Sequence, residues 1–78
     1  MDPRVVAVQP MPDYKLLLFF TDGAEKLFDV GPYLNRGVFR SLVDVSVFNT
    51  VKPFNGSILW QGDIDLCPDT LYKESKDA

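Results

Sequence analysis

The sequence predicts a small α+β domain, in which an antiparallel sheet of about five strands is accompanied by two or three short helices. Two observations predict the sheet: short apolar runs of strand length, and the dipeptides Asp22-Gly23 and Asn55-Gly56, which favour tight turns between such runs. A third observation predicts the helices, because Pro32 and Pro68 each precede a short stretch with apolar residues at helical spacing. The 78 residues make a single domain, residues 1–78, whose last few residues are expected to fray.

The first part of the sheet is predicted between residues 4 and 30. Residues 4–9 form a β-branched run that ends in a proline-rich turn, and residues 14–20 and 25–30 flank the Asp22-Gly23 pair. A type I′ turn needs positive φ at both central positions, which Asp tolerates and Gly adopts without steric cost. The second and third strands are therefore predicted to pair through a two-residue loop.

The loop length decides which side chains share a face of this hairpin. A two-residue loop would place Leu17 opposite Phe28 and Leu18 opposite Leu27, so that both faces are apolar near the middle. Sheets with two apolar faces are covered on both sides, by helices of their own chain or by another chain. We therefore expect a homodimer or another protein complex through this hairpin, with the carboxyl-terminal helix as the rival cover.

A second hairpin is predicted over residues 48–60, with Asn55-Gly56 as its type I′ turn. This turn pairs Pro53 with Ile58 and Val51 with Trp60. It places Val51, Ile58 and Trp60 on the core side. Proline cannot donate to a strand ladder, so Pro53 is expected at an edge or a bulge.

Three short helical segments are predicted. Residues 32–35 form a single turn, and residues 68–75 form a helix that begins near Pro68. Between them, residues 38–43 form a helix whose apolar face, by the i, i+3, i+4 rule, consists of Val38, Phe39, Leu42 and Val43. A helix this short is unstable in isolation, so its apolar face must dock on the sheet.

Several short motifs occur along nearly the whole chain. They are Pro3-Arg4-Val5, Asp13-Tyr14-Lys15-Leu16, Phe20-Thr21-Asp22-Gly23, Phe28-Asp29-Val30, Gly37-Val38-Phe39 with Leu42, Phe48, Trp60, Ile64-Asp65-Leu66 and Pro68-Asp69-Thr70-Leu71-Tyr72. In this combination the chain resembles an uncharacterised bacterial family, domain of unknown function 2442. The resemblance implies a small α+β domain that is often encoded beside toxin-like proteins or fused to a helix-turn-helix segment. It implies no catalytic residues, because none is established for the family.

Charge and composition exclude several classes of function. Residues 1–61 carry six basic and six acidic side chains, and residues 62–78 carry two basic and five acidic ones. Direct binding of nucleic acid by this chain is disfavoured, because phosphate backbones are bound by clustered Lys and Arg. The amino terminus lacks the features of a signal peptide, and the longest apolar run is too short to span a bilayer. We expect a cytoplasmic protein without membrane association.

Asp63, Asp65 and Asp69 are the obvious candidates for a metal or acid/base site. They do not fit a calcium loop, since Leu66, Cys67 and Pro68 occupy the positions where further oxygen ligands and a glycine would be needed. The favoured interpretation is local: Asp63 lies in a turn, Asp65 caps backbone amides near residue 66, and Asp69 complements a helix dipole. We predict no metal site and no cofactor.

The composition also argues against an enzyme. Cys67 is the only cysteine and the chain has no histidine, so a Cys-His dyad cannot form within it. Cys67 is instead expected to be a small buried residue, although its place before Pro68 would allow a helix terminus to lower the pKa of its thiol. We predict no catalytic residue.

Aromatic and basic side chains are the remaining candidates for contact with a ligand or partner. Tyr14, Tyr33, Tyr72 and Trp60 could form an aromatic patch or pocket, although core packing is the simpler interpretation for Trp60. Arg36 and Arg40 could meet a phosphate or an acidic partner, although solvated surface charges are the simpler interpretation. Asp65 completes the candidate contact residues.

Three function hypotheses follow. The preferred one is a small non-enzymatic protein-interaction module, with an antitoxin-like protein as one form of it, that masks or positions a partner. The alternative is a small-molecule domain with an aromatic pocket near Trp60 and Tyr72, which needs a cavity of about 300 Å³ or more. An enzyme that uses the carboxylates with a metal is the least favoured.

Overall fold

The computed structural model describes residues 3–78, which form two antiparallel sheets. The α+β class is confirmed, but the strands do not make one sheet of about five: they divide into a four-stranded sheet of order β1-β2-β3-β7 and a three-stranded sheet of order β4-β5-β6. The strands are β1 (Val5–Met11), β2 (Lys15–Phe20), β3 (Glu25–Asp29), β4 (Lys52–Phe54), β5 (Ser57–Trp60), β6 (Ile64–Leu66) and β7 (Lys76–Asp77). The helices are α1 (Val45–Phe48), α2 (Pro68–Glu74) and three 3₁₀ segments, Pro12–Tyr14, Gly31–Tyr33 and Gly37–Val43.

A single apolar core joins the two sheets and the helices. Alternate residues of β2 point into it, and the other strands except β4 and β7, together with Val30 and the helices, contribute the rest. Its buried members are Val5, Leu16, Leu18, Phe20, Phe28, Val30, Leu42, Phe48, Ile58, Trp60, Ile64 and Leu71.

The first hairpin differs from its prediction by one residue. Its loop has three residues, since the Phe20 N–H donates to the Ala24 carbonyl at 2.9 Å and the Gly23 N–H donates to the Phe20 carbonyl at 3.0 Å. Only Gly23 has positive φ, at 87°, and the Asp22 carboxylate accepts from the Ala24 N–H at 2.9 Å. This is a type I turn followed by a left-handed glycine, so the predicted type I′ turn was wrong.

The longer loop shifts the register of the whole hairpin. Leu16 now lies opposite Phe28, and Leu17 lies opposite Leu27. The prediction therefore placed Phe28 on the wrong face, with Leu17. In the structure Phe28 lies with Leu16 and Leu18 on the buried side.

The second hairpin is confirmed at its turn. Asn55 and Gly56 have φ of 50° and 80°, and Pro53 lies opposite Ile58 as predicted. Pro53 is in β4, an edge strand of the three-stranded sheet. Phe48, however, is not in a strand: it belongs to α1, which begins where the Asp44 carboxylate accepts from the Ser46 N–H at 2.9 Å.

The segment Gly37–Val43 is helical, but its buried face is narrower than predicted. Leu42 is buried and Phe39 packs against the core, whereas Val38 and Val43 are 65% and 54% exposed. The segment is a 3₁₀ helix, in which residues three apart share a face, so an α-helical spacing assigned Val38 and Val43 wrongly.

At both edges of the four-stranded sheet, the structure has strand residues that were not predicted. β1 continues through Pro10 to Met11, which an edge strand tolerates because the missing proline N–H is not needed for pairing. At the other edge the residues expected to fray form β7, where Lys76 pairs with Leu27 and the Lys26 ammonium lies 3.2 Å from the Asp77 carboxylate.

Candidate interaction surface

The four-stranded sheet has a second face that points away from the core, which we call the outer face. Its apolar members in β2 and β3 are Leu17, Phe19 and Leu27, which are half-buried and do not belong to the core cluster or to the partly buried residues packed against it. Strand pairing places Ala7 beside Phe19 and Gln9 beside Leu17 on the same face. The middle of the outer face is therefore an apolar strip.

Charged residues of both signs flank this strip. Lys15 lies opposite Asp29 at one end, and Glu25 lies opposite Phe19 at the other. Lys76 lies beside Leu27 on β7. A depression of about 360 Å³ opens at the β3–β7 side, and its lining consists of Lys15, Leu27, Asp29, Glu74, Lys76 and Asp77.

The helices of the described part of the chain pack on the opposite side of this sheet. Leu42, Phe48 and Leu71, one from each of the last three helical segments, are all buried in the core. Tyr72 follows Leu71 and sets its ring edge-on to Phe20, with ring centres 4.9 Å apart. Helix α2, the rival cover for the second face, therefore lies on the inner side, and β7 widens the sheet instead of covering it.

Tyr72 connects α2 to the first hairpin. Its hydroxyl donates to the Asp22 carboxylate at 2.8 Å, and the Lys26 ammonium lies 4.7 Å from the centre of its ring. The hydrogen bond to Asp22 raises the pKa of Tyr72 above its usual 10.0. In turn, the pKa of Asp22 is lowered, first by the Ala24 N–H and then by the Tyr72 hydroxyl.

Tyr33 makes a second link to the end of α2. Its hydroxyl donates to the Glu74 carboxylate at 2.6 Å, and this hydrogen bond raises the pKa of Tyr33 above 10.0. Its ring is stacked on Phe28 with centres 5.8 Å apart, and the Arg36 guanidinium lies 5.2 Å from the ring centre. Tyr33 and Arg36 are thus in contact with each other, while Tyr72 lies against a different residue, Asp22.

Tyr14 belongs to the turn between β1 and β2, not to the strand in which it was predicted. It follows Asp13, and both residues have left-handed backbones, with φ of 60° and 61°. The Tyr14 hydroxyl donates to the Val43 carbonyl at 2.5 Å, and its ring meets Phe48 edge-on. A depression of about 270 Å³ lies beside it, lined by residues 10–14 together with Val45, Phe48 and Asn49.

Trp60 is 1% exposed, and its indole N–H donates to the Phe48 carbonyl at 3.1 Å. A depression of about 330 Å³ lies beside it, lined by Thr50, Lys52, Leu59, Trp60, Gln61, Gly62 and Asp63. Tyr72 is not among these residues. The two aromatic residues predicted to share a pocket therefore have separate surroundings.

The carboxylates of the last third occupy local positions. Asp63 has a left-handed backbone with φ of 61° in the turn between β5 and β6, and Asp69 lies in the first turn of α2. Asp65 is exposed on β6 opposite Leu59, and its expected capping role is not found among the hydrogen bonds of residues 3–78. Within those residues, no cluster of three or more His, Cys, Asp or Glu could hold a metal ion.

Cys67 is exposed, which corrects the expectation that it is buried. It precedes α2 as the N-cap residue and makes no side-chain capping hydrogen bond. A depression of about 390 Å³ beside it includes Arg4, Phe54 and Asp65 in its lining. Arg40, the second basic candidate, is an exposed residue in the last turn of the 3₁₀ helix.

The chain was compared with protein families, curated proteins and solved structures. Residues 5–77 match the family described as protein of unknown function (DUF2442). The chain belongs to this family. The comparisons found no matching curated protein and no matching solved structure. Among the helices of the described residues, none is both long enough and apolar enough to cross a membrane.

Proposed function

We propose that this DUF2442 domain is a non-enzymatic protein-interaction module that binds a protein partner through the outer face of its four-stranded sheet. The observation that carries the proposal is the position of Leu17, Phe19 and Leu27, three large apolar side chains on a face that the chain's own helices leave open. Burial of apolar surface contributes about 25 cal/mol per Å², so covering this strip with another protein is favourable.

The composition of the outer face also suits a protein partner. An apolar centre with charged residues at its margin is the usual anatomy of a protein–protein interface. Lys15, Asp29, Glu25 and Lys76 supply that margin, with equal numbers of positive and negative groups. An antitoxin-like role, in which the domain masks a partner, is the form of this function that the family resemblance implies.

A small-molecule domain is the alternative, and one observation favours it. The depression beside Trp60, at about 330 Å³, is large enough for a small ligand. Four of its seven lining residues have polar or charged side chains, however, and the Trp60 ring is buried in the core with its N–H already bonded to the Phe48 carbonyl. This arrangement leaves little aromatic surface for a ligand, so we prefer the interaction module.

Affinity purification from the native host at its normal level of expression tests the proposal. Three versions of the chain are compared: the wild type, Leu17→Asp on the outer face, and Val38→Asp as a matched control at an exposed valine on the 3₁₀ helix. The cells are crosslinked before lysis, because a weak complex would dissociate during purification. We expect a stoichiometric protein crosslinked to the wild type and the control, and its loss with Leu17→Asp. A partner captured equally by all three versions, or no protein together with a small molecule that copurifies, would contradict the proposal.

A further inference from the structure

We propose that the partner of the outer face is a second copy of this chain, related by a two-fold axis that runs parallel to the strands between β2 and β3. This inference rests on the proposed function and names its partner. It is carried by the order of side chains along β2 and β3, which is known from their register.

The outer face carries three rows of side chains across β2 and β3. Lys15 lies opposite Asp29 in the first row, and Leu17 lies opposite Leu27 in the second. Phe19 lies opposite Glu25 in the third. Lys76 of β7 and Gln9 of β1 extend the second row on its two sides.

A two-fold axis along the midline of the sheet stacks β2 of one copy on β3 of the other and keeps each row at the same height. Each Lys15 then faces an Asp29 across the interface, and each Leu17 faces a Leu27. The symmetry repeats both contacts, so the interface gains two leucine pairs at its centre and two ion pairs at one end. Like other isologous interfaces, it uses one self-complementary surface.

The other simple axis in the plane of the sheet runs perpendicular to the strands, and it is disfavoured by charge. That axis exchanges the first and third rows, so it places Glu25 of one copy over Asp29 of the other. Two such like-charge contacts oppose association, and like charges across an interface cost several kcal/mol in general. The charge pattern therefore selects the axis parallel to the strands.

The size of the face sets the expected strength. Four strands about 4.8 Å apart, with about five residues at 3.3 Å each, give a face of roughly 300 Å² in projection. Two such faces fall at the small end of specific interfaces, below about 1,200 Å² in total. We therefore expect a weak dimer that dissociates on dilution.

Sedimentation equilibrium between about 1 and 500 μM tests for the dimer, a range chosen because an interface this small binds weakly. We expect the wild type and the control Val38→Asp to approach twice the monomer mass at the upper end. Leu17→Asp is expected to remain a monomer, with its fold checked by circular dichroism. A wild type that is monomeric throughout, or a Leu17→Asp dimer as strong as the wild type, would overturn the inference.

A charge exchange tests the axis. Lys15→Glu and Asp29→Lys should each weaken self-association by about tenfold or more, because each creates two like-charge pairs. An equimolar mixture should recover the wild-type affinity, since both pairs in the mixed dimer are again opposite in sign. If either substitution weakened association only by altering the fold of its own monomer, mixing the two variants would not restore the affinity. A mixture no tighter than its components would show that the axis is wrong.

A second pair of variants covers the case in which Asp29→Lys does not fold, since the Asp29 carboxylate accepts from the Gly31 N–H at 2.9 Å. Leu17→Asp and Leu27→Lys should each prevent the dimer, and their mixture should form one, with one new ion pair and one original leucine pair. Failure to form the mixed dimer would equally reject the axis.

The two proposals can fail separately. A monomeric wild type that still captures a different protein through Leu17 keeps the interaction function and removes the second copy as its partner. A monomeric wild type whose purification shows no dependence on Leu17 removes both.

Discussion

Leu17 and Leu18 are neighbours in β2, yet they lie on opposite faces of the four-stranded sheet and in different surroundings. Leu18 is 0% exposed, in the core that the second sheet and the helices share. Leu17 is half-buried on the outer face, with Leu27 and Gln9 as its cross-strand neighbours. One side of the sheet thus forms the core of the protein, and the other keeps apolar side chains that the helices do not cover.

The largest expected effect is a difference between the two faces in how much an alanine substitution lowers the free energy of unfolding. Leu18→Ala should lower the free energy of unfolding by about 2–5 kcal/mol, because it leaves a cavity in the core. Leu17→Ala should lower it by about 1 kcal/mol or less, because less of its surface is removed from water. Urea denaturation at low protein concentration, where association does not add stability, measures both. Equal losses would show that the faces do not differ as described.

The second prediction compares two glycines with positive φ, Gly56 and Gly23, which lie in the turns of the two predicted hairpins. Gly56→Val should cost about 1–2 kcal/mol, because valine fits φ of 80° poorly and its Cβ would lie 2.8 Å from the Arg4 Cδ. Gly23→Val, at φ of 87° with nothing within 4 Å of the new Cβ, should cost about 1 kcal/mol. Thermal or urea unfolding checks the order, and a larger loss at Gly23 would contradict it.

The third prediction concerns Tyr72 of α2, which contacts Asp22 and Phe20 of the first hairpin. The pKa of Tyr72 is raised above 10.0 by its hydrogen bond to Asp22, so the folded state keeps this proton more tightly than the unfolded state. The resulting stability is fully present below pH 10.0 and is lost as pH rises through the raised pKa. Tyr72→Phe should therefore reduce the fall in stability with alkaline pH, measured by urea midpoints. An unchanged slope would contradict this link.

The smallest expected effect is that of divalent cations. Asp63 lies in the turn that follows β5, whereas Asp65 is exposed on β6 without its expected capping hydrogen bond. Within residues 3–78, neither belongs to a group of three or more His, Cys, Asp or Glu that could hold a metal ion. Millimolar calcium or magnesium should then leave the melting temperature almost unchanged, because a ligand stabilises a protein only as far as it binds the native state. A rise of several degrees that disappears in Asp65→Asn would show a cation site.

The two turns explain why the sequence predicts one hairpin and misses the other. Asn55 and Gly56 both adopt positive φ, so the local preference of the dipeptide decides the loop. Asp22 instead accepts a hydrogen bond from the Ala24 N–H and leaves Gly23 as the only left-handed residue of the loop. A pattern rule for Asp-Gly does not distinguish these two outcomes, and a shift of one residue changes which side chains face the core.

The candidate site was predicted only in part for the same reason. The sequence indicates two apolar faces on the first hairpin, but their membership depends on the register: Leu27 is outside and Phe28 inside. The exposed Val38 and Cys67 show a second limit, because their burial depends on helix type and on packing from distant segments. The family and the α+β class follow from the sequence; the open face follows from the assembled structure.

The position of β7 has a consequence for the order of events during synthesis. It pairs with β3 across a large sequence separation, since Lys26 and Asp77 are 51 residues apart. Contacts this distant form late, because the intervening chain must first be made and folded. A nascent chain therefore holds β3 as an unpaired edge until residues 76–77 emerge, and an unpaired edge can pair with the wrong strand.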